Sequence, residues 1–452
     1  MTNTTTDYQA IAKRHGIQID DIQIPNRQQR LERLQQTLQR TDVPFPIPEK
    51  EGAKYLADAA DGIPFAIGTF NNQTVELGQY ANVQHYEQYT LAEHLSWACL
   101  IADQQSTKKE YACREYLQGE ALFEISGQVI PDFYLLNARI YQFTQWQLAT
   151  VNMIIPAELF FTCHSRRYFP VTTFMRPLEC DYLQEPDIGH DVAGHVATFT
   201  IPAVANVMKN HGLARDMIYA ELDQQLLAAA GDSRQMNQAK QRAENLLTYA
   251  GRIYWFMVEF GLVMQDEQIR CFGAGILSSP GETIFSVTSP QSNRILIDPS
   301  NDADLLRMAN TDYLISEYQK TYFVSKSFAL LDTITPQRIL DAASIALELP
   351  DFTWREILPG DQVVDLGTSA TSANEKYYQL MANLPIDPCL ERTAINNLHR
   401  HADGFDPSFH RYLKASPPDV PEVAITWFKV NRQRLLDRYQ VLVSENDSNN
   451  EG

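Results

Sequence analysis

A single carboxylate inside an apolar stretch constrains this chain most. Glu259 is the only charged residue of residues 253–264, whose other eleven residues are uncharged. If the stretch is buried, an unpaired carboxylate there costs on the order of several kcal/mol unless it is protonated or bound to a metal. The nearest cation in sequence, Arg252, lies seven residues away, about 10 Å along a helix. Glu259 therefore needs a partner from another part of the chain.

Two histidines elsewhere in the chain are candidate partners. His190 and His195 lie five residues apart, and a regular helix would point them roughly 140° away from each other. Gly189 and Gly194 flank them, so a helix start or a local distortion would bring both imidazoles to one metal. Two imidazoles and one carboxylate with open positions are typical of non-haem Fe(II) oxygenases.

Each of these features also has an ordinary structural interpretation. Two histidines in a polar loop often do no more than form hydrogen bonds, but the isolated Glu259 favours a metal site. Zinc metalloproteases use histidines four residues apart with a glutamate beside the first, whereas here the spacing is five and the neighbouring acid is Asp191.

Other polar groups near apolar segments are candidates for substrate contacts. Surface ion pairs are the default for Arg166, Arg167 and Arg176, but one buried arginine would suit bidentate capture of an amino-acid carboxylate. Ser278 stands in a glycine-rich turn, where a hydroxyl can orient an imidazole. The aromatic residues of interest are ordinary core residues by default: Phe160, Tyr254, Trp255 and Phe260.

The overall composition describes a large acidic protein. With 452 residues, of which 44% are hydrophobic, the chain can bury a sizeable core. Its net charge of −19 argues against a nucleic acid or a membrane surface as partner, since both favour clustered lysine and arginine. The six cysteines form no CxxC pair, and no signal peptide or run of about 18 apolar residues is present. These features predict a soluble cytoplasmic protein with reduced thiols.

Apolar density divides the chain into three parts. Residues 1–84 are a polar N-terminal extension, with one helix predicted over residues 26–40 that is too polar to be a core element by itself. Residues 85–335 form the predicted catalytic domain, and residues 336–452 a C-terminal extension. Within these parts we predict helix or strand over 311–331, a helix after Pro336, a loop over 360–376, a helix over 421–443, and a disordered tail.

Five separated segments together resemble one enzyme family. They are residues 167–176, 181–196, 253–262, 272–282 and 319–324. In their order and spacing they are similar to the pterin-dependent aromatic amino acid hydroxylases, especially the bacterial phenylalanine 4-hydroxylases. The resemblance covers roughly residues 110–335 and implies that family's catalytic-domain fold, mainly α-helical with a small β component.

The resemblance also implies roles for individual residues. The iron ligands would be His190, His195 and Glu259, the set that the isolated carboxylate suggested independently. Cofactor binding would fall to Phe160, which would stack on the pterin, and to Asp191, an acid near it. Among the substrate-binding residues, Arg176 would bind the substrate carboxylate, and Ser278 would also support the first histidine. The remaining substrate-binding residues would line the active site: Tyr254, Trp255 and Phe260.

The reaction implied is ring hydroxylation of a free aromatic amino acid by O2, with Fe(II) and a tetrahydropterin such as tetrahydrobiopterin as cofactors. Phenylalanine to tyrosine is the leading reaction, and tryptophan or another aromatic substrate is the alternative. A zinc-dependent hydrolase using the same ligands and a non-catalytic relative are the competing functions. A homo-oligomer is also compatible with the sequence.

The chain departs from the family pattern at four positions. Gly189, Ala193 and Ala197 stand where members usually carry other, bulkier residues or proline, and Pro280 stands where lysine or phenylalanine is more usual. The lost volume predicts either a larger pocket that admits a larger ring or compensation by repacking of neighbouring side chains. Neither extension resembles the family's regulatory domain.

Overall fold

The computed structural model describes residues 8–62, 70, 73–125, 127–152, 154–177, 186–313, 318–349, 351, 357 and 361–368. Helices dominate these residues, and strands form a minor component, as the sequence predicts. Across this described part of the chain, every helix is too short or too polar to pass through a bilayer.

The helices in chain order are α1 (Tyr8–Arg14), α2 (Arg27–Leu38), α3 (Glu49–Asp61), α4 (Leu91–Tyr111), α5 (Arg114–Phe123), α6 (Phe133–Thr144), α7 (Ala157–Ser165), α8 (Ile188–His190), α9 (Pro202–Ala228), α10 (Ser233–Tyr254), α11 (Ala274–Leu277), α12 (Pro280–Thr288), α13 (Asp302–Ala309), α14 (Phe328–Leu331) and α15 (Pro336–Ala346). The strands are β1 (Gln147–Val151), β2 (Tyr168–Thr172), β3 (Leu262–Gln265), β4 (Gln268–Cys271), β5 (Asn293–Ile297), β6 (Thr321–Ser325) and β7 (Gln362–Asp365).

The two longest helices of the described residues, α9 and α10, pack against each other. α7 packs on α9, and α15 packs on both α9 and α10. In the part of the chain that the structure describes, two π-helical turns interrupt the helical backbone, Asp191–His195 directly after α8 and Trp255–Glu259 directly after α10. These turns lie in the buried core, the first follows His190 directly and ends at His195, and the second ends at Glu259.

The predicted helix over 26–40 is present as α2, and it contributes to the core more than its polarity suggested. Asn26 caps it, because its side chain accepts from the Gln29 backbone N–H and the Gln29 side chain accepts from the Asn26 N–H. Leu34 and Leu38 are buried in the same hydrophobic cluster as the catalytic region. The N-terminal residues therefore pack on the main body through α2, which contacts α3 and α6.

A five-stranded sheet, in the order β4-β3-β6-β5-β7, lies beside the helices. β6 pairs in parallel with β3 and β5, whereas β4 and β7 pair antiparallel at the two ends. A separate parallel pair joins β1 to β2. The region predicted as helix or strand over 311–331 contains β6 followed by α14.

Residues 360–376 were predicted as loop, and this prediction was wrong at β7. Residues 362–365 pair with β5 although they are all exposed, so the backbone hydrogen bonds and not apolar burial hold them there. The helix predicted after Pro336 is α15. The helix predicted over 421–443 and the tail lie outside the described residues.

Candidate metal centre

The structure brings the three predicted metal ligands together. His195 Nε2 lies 3.3 Å from His190 Nε2 and 3.1 Å from Glu259 Oε1, and His190 Nε2 lies 3.7 Å from Glu259 Oε2. One ligand atom from each residue lies within 4.8 Å of the other two. His195 and Glu259 are buried, and His190 is partly exposed, so one side of the cluster remains accessible.

The π-helical turns explain how these side chains converge. The turn at Asp191–His195 lies between the two histidines, and a π turn pairs residues five apart. The π turn therefore lets the two imidazoles point toward each other, whereas a regular helix would point them apart. In the second turn, Phe260 N donates to Trp255 O over 3.0 Å, and Glu259 is the last residue of that turn. Isolated π turns of this kind often mark functional sites.

The hydrogen bonding of His190 directs its lone pair at the cluster. Ser278 Oγ donates to Gly275 O over 3.0 Å, so it accepts from His190 Nδ1, which lies 3.1 Å away. Nδ1 then carries the hydrogen, and Nε2 keeps a free lone pair. Burial also lowers the pKa of His190 to about 4, so the imidazole is neutral near pH 7, the form that binds metals.

Glu259 is the anionic member of the cluster. Burial acts to raise the pKa of its carboxyl, but the charge and hydrogen bond of His195 outweigh burial and hold that pKa below its ordinary value. Arg252 pairs with Asp351 at 2.8 Å, so it is not the partner of Glu259. Two imidazoles and one buried carboxylate fit a divalent transition metal.

Asp191 directly follows His190 in the sequence. It is buried, and its carboxyl contacts strand β2. Its Oδ2 accepts hydrogen bonds from Thr172 N at 2.7 Å and from Thr172 Oγ1 at 2.9 Å. Burial raises the pKa of Asp191 to about 7 despite these bonds. The carboxyl is thus held by the backbone of β2 and is not one of the grouped ligands.

Arg176 is held by a buried acid that we did not predict. Its Nη2 lies 2.7 Å from Asp187 Oδ1 and its Nε lies 2.8 Å from Asp187 Oδ2. Asp187 also caps α8, because its Oδ1 accepts from the His190 backbone N–H. An aspartate three residues before a candidate ligand is a helix N-cap signal that the sequence does contain.

The predicted aromatic residues lie around the same region in two groups. Phe160 contacts Tyr254, with ring centroids 5.7 Å apart, and the buried His164, which lies on α7 like Phe160, contacts both rings. Trp255 stacks on Tyr313 at 4.3 Å and contacts Phe260 at 4.8 Å. No sequence signal singled out His164, because a lone histidine in an apolar helix is usually a core residue.

The comparisons with known proteins agree with this geometry. The family model for the biopterin-dependent aromatic amino acid hydroxylases matches residues 71–335. The chain belongs to this family. The family resemblance seen in the five sequence segments is therefore confirmed, and the zinc hydrolase alternative is not favoured.

Several relatives of this hydroxylase are bacterial. The phenylalanine-4-hydroxylase of Chromobacterium violaceum is 34% identical over 321 residues, which cover 69% of this chain and 96% of the relative. That of Caulobacter vibrioides is 34% identical over 64% of this chain and 88% of the relative. A crystal structure of the Chromobacterium violaceum enzyme with iron(III) and 7,8-dihydrobiopterin superimposes with a TM-score of 0.53, at 30% identity over 65% of this chain and 96% of that chain.

The structure also bears on the small residues that distinguish this hydroxylase from the family pattern. A Cβ placed on Gly189 would lie 2.3 Å from Leu100 Cδ2, so a side chain of α4 already fills that space. Ala193 and Ala197 are fully buried. Compensation by repacking, and not an enlarged pocket, is therefore what the structure supports at Gly189.

Proposed function

We propose that this hydroxylase adds one oxygen atom from O2 to the ring of a free aromatic amino acid, with phenylalanine to tyrosine as the leading reaction. The observation that carries the proposal is the convergence of two imidazoles and one carboxylate on a partly accessible buried point. Membership of the family and the phenylalanine hydroxylase relatives support the same reaction. A crystal structure of the Chromobacterium violaceum relative holds iron and phenylalanine.

The residues divide the work as follows. His190, His195 and Glu259 would hold Fe(II) with positions open to other ligands. Arg176, whose geometry is fixed by Asp187, would bind the substrate carboxylate in a bidentate manner. Bound Fe(II) and tetrahydropterin would together supply the activation of O2, with the pterin as the source of two electrons.

The remaining side chains shape the space around that point. Phe160 and Asp191 would contact the pterin, and Ser278 would keep the His190 ring in its ligating tautomer. The aromatic residues Tyr254, Trp255 and Phe260 would exclude water and hold the substrate ring. Tryptophan remains the alternative substrate.

The test is an anaerobic loading with Fe(II), followed by tetrahydropterin, O2 and a panel of aromatic amino acids, with mass spectrometry for the gain of one oxygen. His190→Ala and Glu259→Ala should lose bound iron and product together. Zinc loading should give no hydroxylated product, since Zn²⁺ has no redox chemistry with which to activate O2. Full turnover by either variant would exclude the proposed ligand set.

The division at residues 84 and 335, the cytoplasmic location and a homo-oligomeric state stay predictions. The described cysteines Cys99, Cys113, Cys163 and Cys271 are free thiols.

A further inference from the structure

One backbone carbonyl in the π turn between the two histidines is held from outside the turn. Ala193 O accepts from Lys108 Nζ at 2.8 Å and from Tyr116 Oη at 2.5 Å. Ala193 lies between His190 and His195, so a shift of its carbonyl changes the distance between the two imidazoles. Two donors from two different helices, α4 and α5, therefore fix the middle of the distorted segment.

Lys108 is an unusual residue to find in such a place. It is 1% exposed, and its ammonium also pairs with Glu120 Oε1 at 2.6 Å. A buried ammonium is costly unless it is paired and hydrogen-bonded, and a charged donor forms a stronger bond to a carbonyl than a neutral donor. Lys108 and Glu120 together thus place a neutralised but strongly donating group behind the turn.

α5 also approaches the segment directly after the turn. A Cβ on Gly119 would lie 2.4 Å from Ala197 O and 2.6 Å from Thr200 Oγ1. Helix α5 therefore packs backbone to backbone against residues 196–200. The turn has little room to relax into a regular helix on this side.

We propose that Lys108 and Tyr116 are positioning residues that hold the π turn in the shape that brings His190 and His195 to one metal ion. The proposal deepens the proposed function and rests on it. Neither residue belongs to the grouped ligands or to the residues proposed to contact the pterin or the substrate. Their effect on catalysis passes through the distance between the two imidazoles.

The test compares Fe(II) affinity of the full chain with that of Lys108→Met and Tyr116→Phe, by anaerobic titration. Groups that orient metal ligands from outside the ligand set typically contribute about 10-fold to 100-fold in metal affinity. We expect each variant to bind Fe(II) at least roughly 10-fold more weakly, with near-normal kcat restored at saturating iron. Lys108→Met leaves the Glu120 carboxylate without its ammonium partner, whereas Tyr116→Phe leaves no buried charge unpaired. Tyr116→Phe therefore tests the proposal if Lys108→Met fails to fold.

Arg307→Met is the matched control. Arg307 lies on α13, and its Nε forms a similarly buried ion pair with Asp361 Oδ1 at 3.1 Å. It should lower thermal stability without changing Fe(II) affinity. Wild-type affinity in folded Tyr116→Phe, or an equal loss in Arg307→Met, overturns the inference. If the wild-type chain itself neither binds Fe(II) nor hydroxylates, the proposed function fails first, and that outcome is distinct.

Discussion

Asp187 joins Arg176 to the segment that carries the first metal ligand. Its two carboxylate oxygens accept from Arg176 Nε and Nη2, and one of them also accepts from the His190 backbone N–H. One buried acid therefore sets both the residue proposed to bind the substrate carboxylate and the start of the helix that presents His190. Burial acts to raise the pKa of Asp187, but Arg176 outweighs it and holds that pKa below its ordinary value.

Asp187→Asn should raise the KM for the aromatic amino acid about tenfold to a hundredfold, because the hydrogen bonds to the guanidinium lose charge assistance worth roughly 1.5–3 kcal/mol. Steady-state kinetics at saturating iron and pterin measures this. Asp341→Asn, an exposed change on α15, should leave KM unchanged. An unaltered KM in Asp187→Asn would show that Arg176 keeps its geometry without this partner.

His164 and Tyr254 should behave as one hydrogen-bonded pair. His164 Nδ1 lies 2.8 Å from Phe160 O, so Nδ1 carries the hydrogen and Nε2 accepts from Tyr254 Oη at 3.2 Å. Burial lowers the pKa of His164 to about 3, which keeps the ring neutral. His164→Leu and Tyr254→Phe remove the same bond, so urea unfolding of both variants and the double variant should give a coupling of about 0.5–1.5 kcal/mol.

His211 provides the comparison for that pair. Its ring lies 5.4 Å from the Tyr254 ring, but its Nδ1 donates a hydrogen bond to Val207 O and not to the tyrosine hydroxyl. The cycle of His211→Leu with Tyr254→Phe should therefore show a coupling near zero. Equal couplings in the two cycles would mean that ring packing and not the hydrogen bond connects His164 to Tyr254.

Gly194→Ala should weaken Fe(II) binding and destabilise the fold. A Cβ there would lie 2.8 Å from Ala274 O and 3.3 Å from Ser278 Cβ, so the π turn would have to move away from α11. Overpacking of this kind costs roughly 1–3 kcal/mol. Thermal unfolding with and without Fe(II) would measure both effects.

Gly251→Ala is the control for that change. Gly251 lies within α10, and a Cβ there would meet nothing within 4 Å. Alanine should stabilise the helix by roughly 0.5–1 kcal/mol and leave Fe(II) affinity unchanged. A stable Gly194→Ala protein with unaltered iron affinity would contradict the tight packing of the turn.

The free energy of unfolding of the wild-type protein should fall as pH rises through the titration of Glu282, and Glu282→Gln should abolish this decrease. Burial raises the pKa of Glu282 from 4.5 to about 7, although Tyr322 Oη donates to it at 2.8 Å. The folded state therefore keeps a proton that the unfolded chain releases, and this stabilisation is present at low pH and lost between about pH 4.5 and pH 7. From about pH 5 to about pH 8, wild type should lose roughly 2 kcal/mol more than the variant in urea unfolding.

Glu244 is exposed on α10, so Glu244→Gln is the control for the loss of one negative charge without the loss of a buried carboxyl. It should follow the wild-type pH dependence. Parallel curves for Glu282→Gln and wild type would show that Glu282 is ionised in the folded protein throughout this range.

Much of the fold and of the candidate site was predictable from residue order. The apolar surroundings of Glu259 showed that a carboxylate would be buried, and burial creates a need for a partner that any fold must meet. The five segments identified the family, and with it a mainly helical fold. Periodic apolar positions located α2 because a helix buries one face.

Tertiary structure alone decided how these parts meet. The two valines of β7 favour a strand locally, but so short an exposed segment does not specify one by itself, and its backbone partners on β5 lie about 70 residues away. The convergence of His190 and His195 depends on a π turn, and its carbonyl is held by Lys108 and Tyr116 from other helices. The sequence by itself determined which side chains are available to bind a metal. Their geometry depends on through-space contacts between distant segments, and spacing along the chain does not encode those contacts.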